Sequence, residues 1–220
     1  MKTLQREKPI LFADEMVRAI FDGRKTQTRR PVKERDFQES VTPGYDFTFR
    51  DRNGRWQDVN LLAALHPPRA NYPLQCPFGA TGDVLWVREA FSHCVLHAPV
   101  PGQDPISVSV PTGKGDHVVY RADQPHWTEW AGKWRPSIHM PRWASRLMLQ
   151  ITSVGIHRLQ AISYPSIRAE GYEPFGMEHM DPDASCRAKL RHSWNQKYRN
   201  GPYAWDRNPW VWAITFKRVE

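Results

Sequence analysis

The chain has 220 residues and a formal net charge of +8, with 31 lysines and arginines against 23 acidic residues. This length suits one good core, or a small core with long insertions, and the basic charge favours anionic partners such as nucleic acid. No apolar run approaches the roughly 20 residues that span a bilayer, and the first residues, MKTLQREKPILF, contain no signal-peptide stretch. We therefore expect a cytoplasmic protein without a membrane partner.

The N-terminal segment predicts a strand, a helix and a second strand. The apolar run KPILF (8–12) is typical of a strand. Residues 13–23 predict a helix that Asp14 caps and Gly23 ends. The alternating run TQTRR (26–30) predicts the second strand.

The middle of the chain is interrupted by two long polar segments, residues 32–80 and 95–140, which are rich in proline and glycine. We interpret both as insertions. The first contains Asn53-Gly54, a hairpin turn signal. Residues 82–91 between the insertions predict a strand, and 117–122 a shorter strand inside the second insertion.

The C-terminal part predicts a long alternating strand at 145–159, helices at 163–171 and 184–198, and a final strand at 208–219. Strands separated by long loops, with short helices at either end, predict an α+β fold built on a small β-barrel. The strands are too few and too irregularly spaced for a doubly wound sheet. We expect one domain over residues 1–220.

The cysteines do not predict a disulfide framework, because Cys76, Cys94 and Cys186 are odd in number and far apart. Cys76 and Cys94 lie near His93 and His97 in the sequence, and zinc takes ligands of these types. The spacing fits no standard zinc finger, so we expect buried or idle thiols, no metal and no other cofactor.

The basic run DGRKTQTRRPVK contains the strongest candidate for chemistry, the pair Lys25 and Thr28. Its neighbours Arg24, Arg29 and Arg30 disfavour a protonated lysine, so the pKa of Lys25 should fall. Such a lysine can act as a base, and a threonine hydroxyl can act as a nucleophile. The alternative, which the residue pattern alone favours, is a solvated basic loop that contacts phosphates. In both interpretations we expect Arg24, Arg29 and Arg30 to bind the phosphates of a substrate or RNA.

Two further regions offer candidate residues. Glu170, at the end of a predicted helix, could orient a lysine or protonate a leaving amine, although it could equally be a surface glutamate. The segment RPSIHMPRWASRL (135–147) contains Arg142 and Arg146, which could bind phosphate. Trp143 could stack on a base, but the favoured alternative is a ring that fills the core.

Four blocks in this order resemble the ASCH domain family: IFDGRKTQTRR, GDVLWVREAF, LQITSVGIHRLQAIS leading to IRAEG, and NPWVWAITFKRV. The segment PSIHMPRWASR is similar to longer ASCH proteins carried by phages and prophages. The resemblance covers about half of the chain. It implies a PUA-like β-barrel with a cleft beside residues 23–30 that binds RNA or nucleosides.

The resemblance also implies an activity. Small bacterial ASCH proteins are amidohydrolases that remove the acetyl group from N4-acetylcytidine with a lysine, a threonine and a glutamate. The matching positions here are Lys25, Thr28 and Glu170. The expected function is therefore hydrolysis of an N4-acylated cytidine, as a modified nucleoside or in RNA. The alternatives are an RNA-binding module without hydrolase activity and a ribonuclease that uses the same basic cleft.

Overall fold

The computed structural model describes residues 6–33, 37–43, 47–50, 55–59, 76–93, 118–123, 133–175 and 181–219. Three α-helices lie among them: α1 (Asp14–Phe21), α2 (Tyr164–Ala169) and α3 (Pro182–Tyr198). The strands of the described residues are β1 (Glu7–Leu11), β2 (Gln27–Pro31), β3 (Phe37–Glu39), β4 (Phe47–Arg50), β5 (Trp56–Val59), β6 (Val84–Arg88), β7 (Phe91–His93), β8 (Val118–Tyr120), β9 (Met148–Arg158) and β10 (Trp210–Val219).

The main sheet has the strand order β1-β6-β9-β10-β2. Strand β1 runs parallel to β6, whereas β6 pairs antiparallel with β9 and β10 pairs antiparallel with β2. The sheet is therefore mixed, and among the described residues β1 and β2 are its two edges. The predicted α+β class is confirmed.

The chain divides into two compact units. The first consists of Met1–Gly23, Asp83–Gln150 and Arg218–Glu220, and the second consists of Arg24–Gly82 and Ile151–Lys217.

In the first unit, the buried face of α1 is formed by Val17, Ala19 and Ile20. The helix begins after Ala13, which has no side-chain capping bond, so the prediction that Asp14 caps it is wrong. Asp14 instead lies in the first turn, where its carboxylate accepts a hydrogen bond from Arg121. The helix is followed by Gly23, which has a positive φ of 74°, as the predicted helix end requires.

One hydrophobic cluster of the second unit is formed by α2, α3 and the segments beside them. Successive turns of α3 bury Cys186, Leu190 and Trp194, and Tyr198 packs against the same cluster, as the helical spacing predicts. Asp181 caps the start of the helix, and its carboxylate accepts a hydrogen bond from the Ala184 amide. This packing fixes α2 beside α3, which positions the end of α2 for the site described below.

Each of the two predicted insertions contributes strands to an additional sheet. In the first insertion, β3, β4 and β5 form an antiparallel sheet, and β4 and β5 flank the predicted hairpin turn. The turn itself, Asn53-Gly54, lies outside the described residues. In the second insertion, the predicted strand at 117–122 is present as β8 and pairs with β7.

No helix in the described ranges is long and apolar enough to cross a membrane.

Candidate functional site

The segment before β2 lies against the C-terminal end of α2 in the second unit. Lys25 and Glu170 form an isolated antiparallel bridge, and the amide of Thr26 donates a hydrogen bond of 2.8 Å to the carbonyl of Ala169. Glu170 is the residue at which α2 ends, and the following Gly171 has a φ of 93°, a conformation that favours glycine. The turn at the end of α2 thus brings together residues that are 145 positions apart.

The ammonium group of Lys25 is buried in this contact, with 3 % of the residue exposed. Its Nζ donates to the backbone oxygens of Gln27 and Glu170, each at 2.8 Å, and to Oε2 of Glu170 at 2.9 Å. Three hydrogen bonds match the three protons of an ammonium group. Glu170 therefore holds Lys25 in place. The sequence predicted that Lys25 is reactive but did not show that Glu170 lies beside it.

Burial lowers the pKa of Lys25, while the neighbouring Glu170 carboxylate opposes that change. The positive charges of Arg30 and Lys197 also lower it, but less than burial does. The direction agrees with the sequence-based prediction. The main cause is different, because the prediction relied on neighbouring arginines and the largest contribution comes from the loss of water around the ammonium group.

The carboxylate of Glu170 bridges two cations. Its Oε2 contacts Lys25, and its Oε1 accepts a hydrogen bond of 3.0 Å from Nη1 of Arg29. Arg29 is 6 % exposed, and the same Nη1 also donates to the side-chain oxygen of Gln27 at 2.9 Å. Arg29 is therefore part of the buried ion-pair cluster.

Thr28 and Arg30 form a second group next to this cluster. Successive side chains of a strand point to opposite faces, so on β2 these two residues share a face and Arg29 lies on the other. Nη1 of Arg30 donates to the Thr28 hydroxyl at 2.8 Å and to the Arg29 carbonyl at 3.0 Å. Only 1 % of Thr28 is exposed. A guanidinium proton on this hydroxyl would stabilise the alkoxide if the threonine were deprotonated.

The other candidate residues are distributed differently. Arg24 is exposed at the start of the loop that leads to Lys25. Arg142, Trp143 and Arg146 belong to the first unit. Trp143 is 44 % exposed, so its ring does not fill the core, which was the favoured interpretation of the sequence.

Both candidate arginines of the first unit contact carboxylates. Arg142 pairs with Glu7 at 2.8 Å, and both side chains are about half exposed. Arg146 contacts both oxygens of Glu89 at 3.0 Å and also pairs with Asp123 at 2.6 Å.

Glu89 is a buried residue that the sequence analysis missed. Its exposure is 1 %, and burial raises the pKa of its carboxyl group although Arg146 opposes that change. The guanidinium of Arg146 also lies 3.8 Å from the ring centroid of Tyr120. The sequence does show that Glu89 directly follows the apolar strand VLWVR, which could have marked it as a candidate. It does not show that Arg146 is its partner.

The described residues contain no group of three or more side chains suited to hold a metal ion. Cys76 is buried and His93 ends β7, while Cys94 and His97 lie outside the described residues.

Comparison of the chain with protein-family models, with curated proteins and with solved structures finds no match.

Proposed function

We propose that the chain is an amidohydrolase that removes the acyl group from an N4-acylated cytidine, with Lys25, Thr28 and Glu170 as its working residues. The observation that carries the proposal is the buried contact between Lys25 and Glu170. Burial lowers the pKa of this lysine, which favours the neutral amine that a general base requires. The proposal keeps the PUA-like ASCH barrel as its fold and the cytoplasm as its location.

In the proposed reaction, Lys25 first releases one ammonium proton to water, which ends one of its three hydrogen bonds. The neutral amine then takes the proton of the Thr28 hydroxyl, and the Thr28 oxygen attacks the acyl carbon. The bond between this carbon and N4 breaks. The electron pair stays on N4 of the cytosine, which receives the proton from Lys25 while Glu170 orients the lysine. Water then attacks the acyl ester on Thr28, which releases the carboxylic acid and restores the hydroxyl.

Two features around Thr28 affect this reaction: the hydrogen bond from Arg30 and the burial of the side chain. Arg30 would stabilise the Thr28 oxygen during attack through the hydrogen bond that it already donates. Because only 1 % of Thr28 is exposed, side chains around it must move before a substrate carbonyl can reach it. The proposal therefore includes rearrangement of the site when substrate binds.

The test is turnover of N4-acetylcytidine, followed by the change in ultraviolet absorbance as cytidine forms. We expect Lys25→Ala to lower kcat/KM about 100-fold or more while circular dichroism stays unchanged. The matched control is Lys217→Ala, since Lys217 is an exposed lysine of the same unit. A folded wild-type protein without turnover would contradict the proposal. In that event, RNA binding or ribonuclease activity would become the better hypothesis.

A further inference from the structure

Arg29 has a buried donor without an acceptor. Its Nη1 is held by the side-chain oxygens of Gln27 and Glu170, at 2.9 Å and 3.0 Å. Its Nε is buried and has no hydrogen-bond partner in the described part of the chain. Buried polar groups are nearly always hydrogen-bonded, so this nitrogen calls for an explanation.

The guanidinium of Arg29 is oriented so that its Nε proton could bind a ligand. Gln27 is itself held, because its Nε2 donates to the Thr215 hydroxyl at 3.0 Å. This fixes the Nη1 side of Arg29 against Gln27 and Glu170. The opposite edge, which carries the Nε proton, is the edge with which arginine binds carboxylate and phosphate groups through paired hydrogen bonds.

The charges of the cluster favour an anion at this edge. Lys25 and Arg29 both contact the carboxylate of Glu170. Arg30 and Lys197 lie close enough for their positive charges to lower the pKa of Lys25. Even with a neutral Lys25, two guanidinium groups of the described residues lie close to the single negative charge of Glu170. Arg29 contacts it, and Arg30, whose pKa burial lowers, is near enough for the carboxylate to oppose that change. A neutral carbonyl could satisfy the Nε proton but would leave this excess charge in place, whereas an anionic oxygen would offset it.

We infer that the substrate of this site carries an anionic oxygen, as a carboxylate or a phosphate, and that the Nε edge of Arg29 binds it. The inference rests on the proposed function and specifies its substrate class. Two chemical sources provide such a group: the phosphate of a cytidine nucleotide, or a carboxylate at the far end of the acyl group. Since Arg29 is 6 % exposed, the anion reaches it when covering side chains move.

The first experiment measures binding of reaction products, so that turnover does not interfere. Isothermal titration calorimetry compares cytidine 5′-monophosphate with cytidine. If the anion is the phosphate, we expect the nucleotide to bind about 10- to 100-fold more tightly. The second experiment compares kcat/KM for N4-succinylcytidine and N4-acetylcytidine. If the anion is on the acyl group, the succinyl substrate is preferred by a similar factor.

The variants Arg29→Lys and Arg29→Met test whether Arg29 is responsible. Lysine keeps a positive charge beside Glu170, so the ion pair remains, but it lacks the paired donors of the Nε edge. We expect both variants to lose the preference for the anionic compound. The matched control is Arg199→Met, which changes the net charge in the same way at an exposed position of the same unit.

The pKa of His157 gives a second way to detect an anion at Arg29 that does not depend on measuring affinity. Burial and the charge of Arg29 lower the pKa of His157. An anion bound at Arg29 offsets that charge, so inorganic phosphate or succinate should raise the pKa of His157 in the wild type, as seen by NMR titration, but not in Arg29→Met.

The outcomes separate this inference from the proposed function. Equal binding of cytidine and its monophosphate, together with no preference for the succinyl substrate, would overturn the inference while hydrolysis of N4-acetylcytidine stands. An anion preference that survives in both Arg29 variants would also overturn it. If no acylated cytidine is hydrolysed, the proposed function fails, but a preference for the monophosphate that Arg29→Lys abolishes would still support the anion site.

Discussion

At the scale of single residues, the site is defined by one carboxylate shared between two buried cations. Glu170 contacts Lys25 at 2.9 Å and Arg29 at 3.0 Å, and the three residues are each less than a tenth exposed. Removing one partner of a buried pair is costly because the remaining charge stays buried without compensation. The side chains that we propose for catalysis therefore also contribute to the stability of the folded protein.

Glu170→Gln should destabilise the protein strongly, because glutamine keeps the size of the side chain but leaves Lys25 and Arg29 without their carboxylate. We expect a loss of about 3–5 kcal/mol in the free energy of unfolding, measured with urea. The matched control is Glu173→Gln, which breaks an exposed ion pair with Arg168. That change should cost about 0–1 kcal/mol. Equal losses in both variants would show that the burial of the Lys25 cluster is not what makes it important.

The titration of Lys25 predicts a dependence of stability on pH. Burial lowers the pKa of this lysine in the folded protein, whereas an unfolded lysine has a pKa of about 10.4. Between the two values the unfolded chain binds more protons than the folded protein, so stability increases as pH rises. Relative to Lys25→Met, the wild type should gain stability in urea unfolding as pH rises through the alkaline range towards the unfolded lysine pKa of about 10.4. A constant difference between the two proteins would mean that Lys25 stays protonated throughout this range.

At the scale of elements, the turn after α2 determines whether the site forms. Tyr164–Ala169 is a short helix, and its end at Glu170 is followed by a glycine with φ of 93°. In this conformation a Cβ atom collides with the backbone, which costs about 1–2 kcal/mol for residues other than glycine. The same turn provides both the backbone oxygen and the carboxylate that Lys25 contacts.

Gly171→Ala should therefore lower the free energy of unfolding by about 1–2 kcal/mol and also reduce turnover, since it disturbs the position of Glu170. The matched control is Gly201→Ala. Gly201 has no positive φ and has open space where a Cβ would be added. The control should keep both stability and turnover near the wild-type values. A Gly171→Ala variant that is destabilised yet fully active would show that turnover does not depend on this turn.

At the scale of the whole molecule, we expect the net charge of +8 to favour a nonspecific association with RNA that weakens as salt rises. The two candidate arginines of the first unit differ in how easily they could exchange their carboxylate partners for an RNA phosphate. Arg146 is clamped by Glu89 and Asp123, whereas Arg142 has one exposed ion pair, with Glu7. Phosphate can replace an exposed partner at little cost, because exposed ion pairs contribute little stability.

Glu7→Gln should tighten binding of a labelled uridine oligonucleotide, because it frees Arg142 for phosphate. Fluorescence anisotropy at several salt concentrations measures the effect, and the logarithm of affinity should fall linearly with the logarithm of salt. Glu173→Gln changes the net charge equally in the other unit and serves as the control. If both variants tighten binding equally, overall charge rather than Arg142 determines the affinity.

Local sequence patterns determined most of the elements of this protein. Apolar runs, alternating or helical spacing, and the residue types typical of helix ends predicted β1, β2, β6, β8, β9, β10 and the three helices of the described residues. These patterns are local because they reflect which side chains each element buries. The prediction failed at the start of α1, where Asp14 turned out to bind Arg121 rather than the helix backbone. The spacing of residues along the chain does not show contacts between residues that are far apart in the sequence, such as Asp14 and Arg121.

The residue types also predicted that Lys25 would have a lowered pKa, because a cluster of basic residues is visible in the sequence. Only the tertiary structure decided which groups surround it. The contact between Lys25 and Glu170 joins residues 145 positions apart, and the burial of both depends on the packing of α2 against the strand segment. The same packing makes Arg29, which we expected to contact phosphate, a partner of Glu170 as well, and it buries the Nε donor of Arg29 away from every acceptor among the described residues. Burial and charge pairing depend on distance in space, which local spacing along the chain does not specify.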